Sequence, residues 1–160
     1  MTEPTPFFKA AAAVFRKDLR NELRSRELVS AMGLFSMLSV FTFSFALELE
    51  RVVLQTAASG ILWVTILFAM MLGLNRSLNT EREQGSMDAM LLAPVDRAAI
   101  FLGKMLANFL FGTLVGVILL PLMSILYNVN LIDWRMPGMV LLGTLGLASI
   151  GTLLAAMTVQ

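Results

Sequence analysis

The sequence predicts an all-α fold, a polytopic transmembrane helical bundle, and three observations carry that prediction. Hydrophobic residues make up 58% of the 160 positions and charged residues 14%, against roughly half and a quarter in soluble domains. The apolar excess lies in blocks. Residues 28–47, 52–75, 105–132 and 136–160 contain no Asp, Glu, Lys, Arg or His. A bilayer core about 30 Å thick needs about 20 apolar helical residues, so each block is long enough to cross it.

The first span is expected over 28–47. A cleaved signal peptide is the competing reading, because Ser44-Phe45-Ala46 resembles a small-residue cleavage site. Twenty-seven residues of mixed charge precede the run, and it exceeds the usual apolar region of about 7–15 residues, so an uncleaved span is the better fit. The second span is expected over 52–75, after the short turn Glu48-Leu-Glu-Arg51. The third is expected over 104–126 and the fourth over 137–159, joined by residues 127–136. Tyr127 and Trp134 stand where interfacial aromatics belong, and Trp63 lies deeper. Pro121 removes a backbone donor within the third span, which predicts a kink. Gly112 and Gly116 form a GxxxG pair, and Gly143, Gly146, Gly151 and Ala155 line the fourth span. Small residues let helices approach closely in lipid.

Lys and Arg counts orient the bundle. Six lie in the N-terminal segment 1–27 and four (Arg76, Arg82, Arg97, Lys104) around the loop 76–103. The other two loops hold only Arg51 and Arg135. The positive-inside rule then places the N-terminus and the 76–103 loop in the cytoplasm.

Both cytoplasmic segments read as helical. In residues 7–27, Phe8, Phe15, Leu19 and Leu23 share one face, with Arg16, Lys17, Arg20 and Arg24 on another. Such a helix is expected in the interface, cations at the lipid phosphates. In the loop, Thr80-x-x-Glu83 fits a capping box or the end of the second helix. Gly85 permits a break, Ser86 can cap a short helix with Asp88 in its first turn, and Met87, Met90 and Leu91 form an apolar stripe. Pro94 ends that helix and Asp96 is placed to cap the next. The stripe fits a partner surface or the protein's own membrane-side helices.

Several chemistries are excluded for this sequence. No G-x-x-x-x-G-K-[ST] is present, so ATP phosphates cannot be held by a P-loop here. No H-E-x-x-H or G-x-S-x-G occurs, and with no His and no Cys there is no His base, His haem ligand, disulfide or thiolate metal site. Spans free of ionisable residues argue against proton-coupled transport. The basic residues flank spans rather than forming a basic domain, so no nucleic-acid partner is expected. No metal site and no catalytic residue are expected.

The stretch Glu81-Arg-Glu-Gln-Gly-Ser-Met-Asp-Ala-Met-Leu-Leu-Ala-Pro-Val-Asp-Arg-Ala-Ala-Ile-Phe-Leu-Gly-Lys104 resembles the E-x-G-[ST]-x-[DE]-x-L-L-x-[PT] … G-K segment of type-2 ATP-binding-cassette export permeases. Phe15-Arg-Lys-Asp-Leu-Arg-Asn-Glu-Leu-Arg-Ser-Arg-Glu27 and Leu67-Phe-Ala-Met-Met-Leu-Gly-Leu-Asn-Arg-Ser-Leu-Asn79 are similar to the CcmB family, the membrane subunit of the cytochrome c maturation haem exporter. The resemblance covers residues 7–160. It implies a coupling helix docked on a cytosolic ATPase, carried by Glu81, Glu83, Gly85, Ser86, Met87, Asp88, Met90 and Leu91, and it makes residues 7–27 an elbow helix. It further implies a permease homodimer in the bacterial inner membrane, a haem-handling membrane partner and a periplasmic haem chaperone. ATP would belong to the ATPase subunit, and haem would be cargo. If haem is handled by this chain, its iron would be held by a Met, by Tyr127 or by another subunit. The resembled family has about six spans, and no charge follows the last block here, so a piece of a longer protein is expected. Two alternatives stay open at this stage: a type-2 permease for a drug, lipid or polysaccharide, and a non-transporting four-span scaffold.

Overall fold

A computed structural model describes residues 6–47, 50–83, 95–131 and 133–157. Five helices run through them: α1 (Phe7–Ser25), α2 (Glu27–Ala46), α3 (Arg51–Glu83), α4 (Arg97–Tyr127) and α5 (Arg135–Met157). The last four each carry a window long and apolar enough to cross a membrane. The all-α polytopic bundle is therefore what forms.

Local sequence accounts for the helix boundaries. Pro6 precedes α1, whose first half is rich in Ala, the best helix former. Between α1 and α2 a single residue, Arg26, adopts the left-handed conformation at φ 56° and separates the two helices. Asp96 caps α4 as its sequence position suggests, its side chain accepting from the Ala98 N–H at 2.9 Å. Asn128, also left-handed, ends α4.

Two helices outrun the expected spans. At 33 and 31 residues, α3 and α4 are about 45–50 Å long, well beyond a hydrocarbon core of about 30 Å. Both ends of the 76–103 region are helical: α3 continues to Glu83, and α4 begins at Arg97, next to the cap expected at Asp96. Thr80 lies inside α3 and its hydroxyl donates to the Arg76 carbonyl, so the helix-end reading of Thr80-x-x-Glu83 holds and the capping box does not.

The core runs along α3 and α4, with α5 against both, α2 against α3 and α4, and α1 against α4. Outward positions such as Leu38, Val117, Ile118 and Leu142 are exposed and apolar, as a lipid-facing surface requires. Small residues set the closest approaches. A Cβ at Gly112 would stand 2.6 Å from Met70 Sδ, and one at Gly116 2.5 Å from Val140 Cγ1. Trp63 lies over Gly143. Pro121 sits within α4, exposed.

Polar side chains add directional ties between helices. Asn108 Nδ2 donates to Thr152 Oγ1 at 3.1 Å. Thr144 Oγ1 donates to the Val140 carbonyl at 2.7 Å, so its 3.0 Å contact with Thr113 has Thr113 as donor. Tyr127 is only 2% exposed, and its hydroxyl donates to the Val40 carbonyl at 3.0 Å. It pins α4 to α2, its ring covered by protein. Trp134, 79% exposed with the Arg135 guanidinium over its ring, has the interfacial character instead.

Candidate functional site

Six of the eight residues expected to dock a partner (Gly85, Ser86, Met87, Asp88, Met90 and Leu91) lie outside the described residues. Glu83 closes α3. The structure instead describes the base on which that segment stands: the last turns of α3, the first turns of α4, and α1 beside them.

At the centre of this base is Glu81, 4% exposed. The position had been expected to face a partner; it faces inward. Lys17 Nζ, from α1, donates to its Oε1 at 2.6 Å. Lys104 Nζ, from α4, donates to its Oε2. Asp18 stands 3.2 Å from Lys17 Nζ. Two cations and two anions thus join three helices, with each lysine compensating a carboxylate that burial would otherwise penalise. Burial works against the Lys17 ammonium. The hydrogen bond it donates to Glu81 and the charges of Asp18 and Glu81 outweigh it and hold its pKa above the usual lysine value. Burial also pushes the Asp18 carboxyl above its usual range, against the pull of Lys104 and Lys17.

The helical-wheel reading of α1 is corrected here. Arg16, Arg20 and Arg24 are exposed, but Lys17 turns inward to the charge cluster. The apolar face divides as well: Phe15 and Leu19 pack against the bundle core, while Phe8 (78%) and Leu23 stay exposed. A wheel gives the azimuth of each side chain, and it cannot say which face meets protein.

Beside the cluster, α1 and α4 approach closely through Ala10, Ala11 and Ala99. A Cβ at Gly103 would lie 2.7 Å from both the Ala11 carbonyl oxygen and Val14 Cβ. Further along α1, Glu22 is 8% exposed and accepts from the N–H groups of Val29 (2.8 Å) and Leu28 (3.2 Å) at the start of α2. These are donors that a helix start leaves unpaired. Exposed Glu27 pairs with Arg76 at 3.0 Å, a weak tie between α2 and α3. A polar cavity of about 50 Å³, bordered by Asp18, Glu22, Thr80, Glu81 and Asn108, lies among these helices. In the sequence Lys104 figured as a positive charge and as the end of the permease-like G-K segment, while Asp18 and Glu22 were passed over. Two acids among the basic residues of α1 were the available signal.

With this geometry in view, comparison with known proteins places the chain. The family described as CcmB protein matches residues 9–160. The chain belongs to the CcmB family. Heme exporter protein B of Pseudomonas aeruginosa is 33% identical over 85% of the chain and 61% of its own length. That of Rhodobacter capsulatus is 31% identical over 92% of the chain and 68% of its length. That of Bradyrhizobium diazoefficiens is 28% identical over 94% and 68%. This CcmB chain thus spans about 61–68% of the length of these relatives. No solved structure matches it. Family and four apolar helices together make it a multi-pass bacterial membrane protein.

Proposed function

We propose that this CcmB-family chain is the permease part of an ATP-driven export complex serving haem delivery for cytochrome c maturation. One observation carries the reading: the family match runs through all four apolar helices and through the segment between α3 and α4, and the relatives matched are named heme exporter protein B. The chain sits in the inner membrane with its N-terminus and the 84–96 segment in the cytoplasm, as ten of the twelve Lys and Arg favour. With no P-loop in the sequence, nucleotide chemistry falls to a separate ATPase docked on that segment. Met87, Met90 and Leu91 supply an adaptable apolar contact, and Glu83, Gly85, Ser86 and Asp88 shape it. A second permease copy, a haem-handling membrane partner and a periplasmic haem chaperone complete the assembly. Haem is cargo rather than a resident cofactor, and the work of the complex is haem export or release of haem-loaded chaperone.

The docking role is tested by changing Met87, Met90 and Leu91 to Asp in the full-length protein. Co-purification of the ATPase is expected to fall by about tenfold or more, since several apolar contacts are lost and charges are desolvated. Undiminished co-purification would remove the segment from the ATPase interface.

A further inference from the structure

We infer that Glu81 is a positioning residue whose carboxylate locks α1 to the base of the 84–96 segment, so that α1 and the adjoining ends of α3 and α4 move as one body. The inference rests on the docking role proposed for that segment.

Three independent features converge on it. Both carboxylate oxygens of Glu81 are engaged, one by Lys17 from α1 and one by Lys104 from α4, and Asp18 closes the cluster on Lys17. α1 and α4 also meet closely one turn away, where Gly103 lies against the Ala11 carbonyl and Val14. At its far end α1 holds α2 through the Glu22 carboxylate on the Leu28 and Val29 N–H groups. A continuous series of contacts thus leads from Glu81 near the end of α3, along α1, and into α2. Buried ion pairs are a poor source of net stability compared with apolar packing, and fixing one arrangement is their best-attested use. Here the arrangement fixed is the register of α1 on the two helices that flank the docking segment. A displacement of the segment toward or away from the membrane then reaches α2 through α1 as well as α3 and α4 directly.

The experiment uses the full-length protein in its own membrane together with its ATPase. Cysteines at Ala11 and Ala99, within the α1–α4 contact, are cross-linked oxidatively. Lys17→Gln removes only the α1 arm of the cluster and is expected to lower the cross-linking rate at least about fivefold, as expected for loss of one partner of a largely buried pair. Cytochrome c maturation falls in parallel while the ATPase still co-purifies, and Lys17→Arg restores both. Glu81→Gln, close in volume, is read alongside, so that failure of one variant to accumulate leaves the other decisive. Cross-linking or maturation equal to the parent protein in an accumulating variant overturns the inference. If cross-linking falls as expected but the ATPase co-purifies with neither parent nor variant, the docking reading fails and takes the positioning role with it, while the contact between helices stands.

Discussion

Gly103 shows how one hydrogen in place of a methyl group sets the geometry of the docking base. An alanine there would put its Cβ 2.7 Å from the backbone oxygen of Ala11, where only a shift of the helix itself can make room. Gly146, on α5, has nothing within 4 Å of the same added atom. Gly103→Ala is therefore expected to destabilise the protein by about 1–3 kcal/mol, the usual range for overpacking, whereas Gly146→Ala is expected to be neutral or stabilising by up to about 1 kcal/mol through helix propensity. Thermal unfolding in detergent compares the two, and equal midpoints would contradict the tight α1–α4 approach. Glu22 acts at the same scale. Glu22→Ala frees the Leu28 and Val29 N–H groups and is expected to cost about 0.5–2 kcal/mol, as other lost helix-start acceptors do. Limited trypsin digestion at Arg26 should accelerate accordingly, and an unchanged rate would show that the carboxylate does not hold the junction.

At the scale of elements, what the sequence reveals depends on how local its cause is. The four apolar helices were legible because a bilayer imposes one requirement on every residue between its faces, and charge-free blocks answer it directly. Asp96 was legible too, since a helix start and its side-chain cap sit two residues apart. The far end of α3 was legible only as one of two readings, because its continuation to Glu83 passes through charged residues, which a solvated helix tolerates as readily as a loop does. The inward turn of Lys17 and Glu81 was hidden for a further reason. Partners 64 residues apart in sequence meet only through the fold, and each was expected to face outward, Lys17 to lipid phosphates and Glu81 to a partner. Glu22 caps α2 from six and seven residues upstream, across the Arg26 bend, where no short motif records it. The small residues Gly112 and Gly116 were readable as packing positions, while their occupants, Met70 and Val140, came only with the structure.

For the whole molecule, every functional statement depends on which side of the membrane the base of the 84–96 segment occupies. Ten of twelve Lys and Arg lie on that side, including the exposed Arg16, Arg20 and Arg24 of α1, and the Glu81 cluster sits there as well. Residues 1–160 contain no Cys, so a single reporter thiol placed among them has no native competitor within this stretch. The most direct measurement is labelling of Ser86→Cys, with exposed Asp133→Cys as its opposite, by a membrane-impermeant maleimide in spheroplasts of cells carrying the full-length protein. The account predicts that the Asp133 position labels in intact spheroplasts and the Ser86 position only after the membrane is opened. Labelling of the Ser86 position in intact spheroplasts would put the segment outside the cell, beyond the reach of any cytosolic ATPase, and would contradict the account at its root.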